Sequence, residues 1–330
     1  MQRDIVRLPP ETRPILSVVI HTEEEFDWNQ PFSRESDSVE HMRHIDRAQR
    51  LFERFGIVPN YVIGYPTATK PTGFAALREY AEDERALIGM HLHPWVCPPF
   101  EEEVNARNSY PGNLPSALER DKLRILTETI EETFHRRPKT YLAGRYGNGP
   151  NSLPILQELG YEVDISVAPP IDYSADGGPD YSGWTCDLGW YGNGRRILIL
   201  PGAGGYAGIW RRGGTPFYRS INRKPWRMMR LPGVLSRLGL FERSRLSPED
   251  YGLTELKRLS RDLLADGIRC LVFSFHSPSI EPGCTPYVQS EGDLRRFLDK
   301  CSAYFDYFFE VLGGQTMHPL QVKAYLEGLD

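Results

Sequence analysis

The stretch His21-Thr22-Glu23-Glu24-Glu25-Phe26-Asp27-Trp28 directly follows the run Ile15-Leu16-Ser17-Val18-Val19-Ile20 and decides how the chain is read. A short, β-branched apolar run bounded by polar residues fits a strand packed on both faces. Four carboxylates then stand at its carboxyl end, where α/β folds and barrels place their sites. Acids this close repel one another, so a cation or a set of donors must offset them, or they fan out into solvent.

Outward from this stretch, strand and helix patterns alternate. Residues 37–55 carry Ile45, Ala48, Leu51, Phe52 and Phe55 at helical spacing, with Gly56 behind them as a C′ residue. Strands are predicted over 57–63, 86–90, 140–143, 161–167, 196–200 and 270–275, and helices over 71–83, 116–135, 150–159, 254–265 and 292–312. Residues 172–194 read as loop and 202–248 as irregular. Repeated strand-helix pairs with polar motifs at strand ends point to a parallel α/β sheet or barrel. With no internal repeat and no clear linker, the chain reads as one domain over 1–330.

The 330 residues are 40% hydrophobic and 25% charged, an ordinary globular composition that implies no disorder. A net charge of -5 and a pI near 6.0 give no global reason to expect a nucleic-acid partner. The first apolar run has six residues before His21, too few for a signal peptide or a membrane span. Five cysteines without a CxxC pair suggest a reducing, cytoplasmic setting. Segment 210–245 breaks the pattern: ten Arg or Lys face the single acid Glu242, interleaved with apolar residues such as Trp226, Met228, Met229 and Leu238. Such an insertion suits an amphipathic lid, an anionic-substrate contact, a peripheral membrane surface, or simply a solvated loop with a helix packed on the fold.

The chemistry concentrates at strand ends. His91 and His93 are two apart and project to one side if the strand stays extended. Imidazole suits Zn²⁺, and one carboxylate from Glu23, Glu24 or Glu25 would complete a His₂-carboxylate set with an open position. Alone, such a pair is equally two half-buried histidines with ordinary hydrogen bonds; the acidic strand end and a third strand-end histidine, His276, favour the metal. A bound divalent cation activates water and polarises a carbonyl, which leaves a base and an acid to be supplied. Glu24 suits the base and His276 the acid. Arg145 would pair with the base carboxylate or hold its own loop, and Asp164 lies on the strand over 161–167. The run Gly202-Ala203-Gly204-Gly205-Tyr206-Ala207 is not followed by a helical pattern, so it is not a dinucleotide fingerprint. There is no Walker motif and no GxSxG elbow.

Taken in order, Thr22-Glu23-Glu24-Glu25, Gly89-Met90-His91-Leu92-His93-Pro94, Ala143-Gly144-Arg145-Tyr146-Gly147 and Phe273-Ser274-Phe275-His276 resemble the NodB-type polysaccharide deacetylases, in a divergent form similar to the WalW-like branch. The resemblance covers most of the chain. It implies a distorted (β/α)₇ barrel and a metal held by one acid and two histidines. It also implies removal of acetyl groups from N-acetylated sugars by attack of metal-bound water. The family's TFDDG motif falls on Thr22 to Phe26, which makes Glu24 the base and Glu25 the metal ligand beside His91 and His93. Arg145 then orients Glu24, and His276 protonates the leaving amine. A later acidic and aromatic motif maps onto Asp164 or onto 180–184.

The chain also departs from that pattern. Glutamates replace the usual aspartates, and the usual HxxxH pair has Trp95 at its second position, so His93 must replace the second ligand. A register shift by one residue would make Glu23 and Glu24 the working pair. Trp28, Trp95 and Tyr146 would line a sugar groove, or belong to the core. Two rival functions keep the barrel: a metal-dependent amidase on a small linear or cyclic amide, like allantoinase, and a catalytically inactive carbohydrate-binding relative. Amidohydrolases that use HxH carry it on the first strand, whereas here it arrives on the third.

Overall fold

The computed structural model describes residues 3–27, 30–193 and 196–329. Its strands are β1 (Asp4–Val6), β2 (Ile15–Thr22), β3 (Asn60–Ile63), β4 (Leu87–Leu92), β5 (Thr140–Ala143), β6 (Val163–Asp164), β7 (Leu188–Tyr191), β8 (Ile197–Ile199), β9 (Gly204–Ala207), β10 (Glu242–Arg245), β11 (Cys270–His276) and β12 (Gln315–Thr316). Seven of them form a continuous parallel run in the order β8-β6-β5-β4-β3-β2-β11, so the last major strand lies beside the first. β7 and β1 add an antiparallel edge beyond β8, and β12 pairs with the start of β2. Val6 and Leu188 at one edge line a small cavity together with Cys270 at the other. The sheet therefore curls so that its edges approach without pairing, as a distorted (β/α)₇ barrel.

All eight residues of β2 are buried, as expected of a strand covered on both faces. The helix Asp46–Arg54 packs Ala48, Leu51 and Phe52 inward and ends before Gly56, whose φ of 63° places it in the left-handed region that glycine tolerates. The helix Ser116–Phe134 buries Leu118, Leu123, Leu126, Ile130 and Phe134 along one side. All five cysteines are free. Among the described residues no helix is long and apolar enough to cross a membrane.

Two regions differ from expectation. The loop expected over 172–194 contains β7, and the irregular stretch over 202–248 contains β9, β10 and the helices Gly214–Ile221, Lys224–Met228 and Leu231–Arg237. β9 begins with two glycines and β10 reads Glu-Arg-Ser-Arg, so neither shows the apolar signal by which strands are recognised. The helices Gly214–Ile221 and Leu231–Arg237 share a separate small core of Ile221, Leu235 and Phe241. The strand expected over 161–167 pairs as a ladder only at Val163–Asp164.

The loop after β5 is tied to the helix Ser116–Phe134 by a relay: Gly149 N donates to Ser152 Oγ, which donates to Glu119. Burial pushes the Glu119 carboxyl up to about 7. A carboxyl raised on folding contributes stability below its unfolded pKa, near 4.5, and loses it as pH rises through about 7. Glu119→Gln should therefore stabilise the protein at pH 8 by on the order of 2 kcal/mol, with the gain vanishing near pH 4.5. Urea unfolding at the two pH values checks this; a pH-independent difference would show that ionisation at Glu119 is not the cause.

Candidate active site

The candidate site gathers at the carboxyl ends of β2, β4, β5 and β11. Register sets His276 beside His21 and Ile63 beside both Thr22 and Met90, so residues 21–24, 91–93 and 276 emerge at one level. Glu23, Glu24, His91 and His93 are all buried. Glu23 Oε2 lies 3.2 Å from His91 Nε2 and 3.5 Å from His93 Nε2. The other ring nitrogens are engaged behind them: His91 Nδ1 is 2.8 Å from the Leu142 carbonyl and His93 Nδ1 is 2.7 Å from Glu24 Oε1.

These partners fix the tautomers. A carbonyl only accepts, so His91 Nδ1 carries the proton and its Nε2 presents a lone pair. Burial lowers the His91 pKa, which favours that neutral form. A carboxylate oxygen and an imidazole lone pair thus face each other, with His93 Nε2 beside them. Glu23, His91 and His93 converge in a buried space that suits a shared cation, and their ligand atoms all lie within 4.8 Å of one another. Glu24 Oε2 is a further buried atom with no hydrogen-bond partner among the described residues. The donor set therefore fits a divalent metal with one open side.

Across the same cleft stands His276. Burial alone would lower its pKa, but Glu249 and Glu23 outweigh that and raise it to about 10. Glu249 lies 2.8 Å from His276 Nδ1 and also accepts from the His276 backbone N–H at 3.0 Å. Burial likewise opposes charge on Glu23, yet the positive charge of His276 across the cleft, the foremost of the opposing causes, brings it down to about 2. His21 sits between these histidines, its ring 4.7 Å from His276 and 5.3 Å from His91. Burial, then the neighbouring His276 and His91, holds its pKa well below the ordinary histidine range. Arg245, from β10, donates to the Tyr146 hydroxyl and places its guanidinium 4.5 Å from the Tyr146 ring. The cleft of about 220 Å³ is lined by Glu23, Glu24, Phe26, Arg245, His276 and Tyr287, among others.

Several expected site residues stand elsewhere. Glu25 does not join His91 and His93: the chain has left the strand, and Glu25 N is bound to the Ser38 carbonyl at 2.8 Å. Its carboxylate accepts from Ser38 Oγ at 2.6 Å and His41 N at 2.7 Å. His41 is also the main cause that lowers the Glu25 pKa to about 2. Glu23 occupies the position that was expected of Glu25.

Arg145 does not reach Glu24. Arg145 and Tyr146 have φ of 53° and 58°, a double left-handed turn. The Tyr146 hydroxyl lies 3.3 Å from His21 Nε2, whereas the Arg145 guanidinium binds Ser109 Oγ at 2.6 Å and lies 4.1 Å from the Tyr110 ring. Asp164 is buried but bonded to Ser166 and to Asn148 Nδ2, so it braces the loop after β5 rather than facing the histidines. Burial raises its pKa to about 6. Trp95 is buried and stacked on His93, with ring centroids 4.3 Å apart, so this ring packs against a histidine of the site rather than lining an open groove. Tyr146 is buried too. Trp28 lies outside the described residues. Arg245, Glu249 and His21 carried no motif in the sequence, although the Ser-Arg-Leu-Ser-Pro-Glu run after the basic segment is where an acid first returns.

No protein-family model matches the chain, and no curated protein does. Among solved structures, a Mycobacterium smegmatis protein named as a polysaccharide deacetylase aligns over 91% of this chain and 88% of its own, at 14% identity and a TM-score of 0.51. A Pseudomonas aeruginosa PAO1 protein named as a polysaccharide deacetylase covers 89% and 84%, at 14% identity and a TM-score of 0.48. The Puue allantoinase covers 90% and 86%, at 16% identity and a TM-score of 0.46. The first of these shows a shared fold, the polysaccharide-deacetylase type of β/α barrel.

Gly144 is required where the site is tightest. A Cβ there would strike the Leu92 carbonyl and come within 2.6 Å of His93 Cδ2, whereas one at Gly64 would meet nothing nearer than 3.7 Å. Gly144→Ala should cost roughly 1–3 kcal/mol of stability, and Gly64→Ala less than about 0.5 kcal/mol. Denaturant unfolding of the two variants measures this, and equal effects would contradict the packing around His93.

Proposed function

We propose that this protein is a metal-dependent hydrolase that removes the N-acetyl group from a sugar in a polysaccharide or glycolipid precursor, in the manner of a divergent, WalW-like NodB-type deacetylase. The observation that carries this reading is the convergence of the His91 and His93 Nε2 atoms on one Glu23 oxygen, with His276 held by Glu249 on the same cleft. The order of motifs, acids on the first barrel strand and the HxH pair two strands later, supports it together with the fold. Residues 1–330 act as one catalytic unit with 210–245 as an insertion, and five free thiols fit a cytoplasmic setting.

Glu23, His91 and His93 would hold the ion, and two imidazoles with one carboxylate suit Zn²⁺. When bound, the metal polarises the acetyl carbonyl and makes water easier to deprotonate. Glu24 orients His93 through Oε1 and takes the proton of the attacking water on Oε2, the oxygen left without a partner. His276, protonated and braced by Glu249, delivers its Nε2 proton to the leaving nitrogen as the C–N bond breaks. Arg245, held against Tyr146, adds a fixed positive charge where the carbonyl oxygen gains negative charge. Tyr287, exposed at the cleft, gives aromatic surface for a pyranose ring.

Metal analysis combined with acetate release from an N-acetylglucosamine oligomer tests this reading. The parent protein should carry stoichiometric zinc and release acetate. Glu23→Ala and His93→Ala should lose the metal and at least about a hundredfold in rate, while Glu25→Ala should keep the metal. Zinc retained by Glu23→Ala and lost from Glu25→Ala would reverse the ligand assignment; a fully metallated parent that releases no acetate would sink the deacetylase reading.

A further inference from the structure

The basic segment contains more positive charge than the fold or the cleft uses. Of its ten cations, Arg211 pairs with Asp266, Arg219 with Asp172, Arg243 lies over the Tyr218 ring and Arg245 belongs to the cleft. The other six, Arg212, Arg223, Lys224, Arg227, Arg230 and Arg237, are exposed and form no ion pair among the described residues. The segment's only acid, Glu242, is buried against Arg258 and Ser236. Its outer surface therefore presents no carboxylate of its own.

Large apolar side chains share that surface. Met228 is 74% exposed, Met229 71% and Leu238 65%, with Trp226 and Val234 close to half exposed. They are not failed core residues. The helices Lys224–Met228 and Leu231–Arg237 pack on each other, and Leu235 and Phe241 already fill the small core beneath them. Within Arg223–Arg230 four cations and three large apolar side chains stand exposed in eight residues. Apolar groups gathered in this way mark a contact surface rather than ordinary scatter.

We propose that this face docks on an anionic lipid bilayer. A nucleic acid or an acidic protein surface would match the six cations but offers no hydrocarbon to Met228, Met229 and Leu238. A bilayer interface matches both: phosphate groups for Arg and Lys, and the headgroup-acyl boundary for Trp and Met. The remainder of the chain is acidic, since the whole carries -5 despite these ten cations, so an anionic membrane repels it and leaves this face as the one that approaches. The docking is independent of the reaction assigned above, but the two meet in the fold. Asp250 lines both the reaction cleft and the neighbouring cleft walled by Tyr218, Ile221 and Pro232 of the docking segment.

Vesicle sedimentation of the intact protein tests the proposal without substrate or turnover, so its outcome is separate from that of the deacetylase reading. The parent should bind phosphatidylcholine vesicles containing phosphatidylglycerol, fail to bind phosphatidylcholine alone, and release as salt is raised. Arg223→Gln, Lys224→Gln and Arg227→Gln together should weaken binding about a hundredfold, at about fivefold per cation. Trp226→Ser, Met228→Ser and Met229→Ser together should also weaken it, although the charge is unchanged. Thermal melting confirms that both variants are folded. Should they not fold, the headgroup and salt dependence of the parent decides alone. A parent that ignores phosphatidylglycerol overturns the proposal; so does a folded apolar triple variant that binds as tightly as the parent, which is the behaviour of a site for soluble polyanions.

Discussion

The constraint on which this structure turns is the burial of two carboxylates, Glu23 and Glu24, at the mouth of the barrel. An ionised carboxylate taken out of water without a partner costs several kcal/mol, so every neighbouring element must answer it. β4 answers with His91 and His93, β11 with His276 and β10 with Arg245. Each of these side chains needs an anchor of its own. His91 takes the carbonyl of Leu142 on the adjacent strand, His93 takes Glu24 and the face of Trp95, and His276 takes Glu249. The close fit extends to Gly144, where a side chain has no room beside His93.

The same constraint divides the cleft into two electrostatic halves. On one side, Glu23, His91 and His93 converge on a common point that a cation would satisfy. On the other, Glu249 holds His276 as a donor, and Arg245 stands as a fixed charge on Tyr146. Hydrolysis of an amide needs this asymmetry, because water must lose a proton on one side of the carbonyl while the nitrogen gains one on the other. Both halves depend on residues distant in sequence. The donor half is built largely by 245–249, immediately after the basic insertion, so that segment is structurally continuous with the chemistry.

Much of this was legible in the sequence. Where apolar periodicity was strong, as in Ile15–Thr22, Thr140–Ala143 and Ser116–Phe134, the elements lie where the pattern placed them. The strand-helix alternation also led to the barrel, because buried parallel strands are apolar on both faces. What failed to appear was β9 and β10, whose glycines and charges hide the strand period, and with them Arg245 and Glu249. Register was the other loss. The motif alignment favoured Glu25, but side-chain direction depends on where the strand releases the chain, and release after Thr22 hands Glu25 to Ser38 and His41. Arg145 shows the same limit: two consecutive left-handed residues reverse which side chain enters the site, and periodicity does not encode that reversal.

The central claim is that one cation joins the barrel strands through Glu23, His91 and His93. X-ray absorption at the zinc edge of the metal-loaded protein addresses it most directly. The account predicts two imidazoles and one carboxylate oxygen at about 2.0–2.2 Å, with the imidazole scattering reduced, or the bound zinc itself lost, in His91→Ala. A spectrum with no imidazole scattering, or one unchanged in that variant, would contradict it.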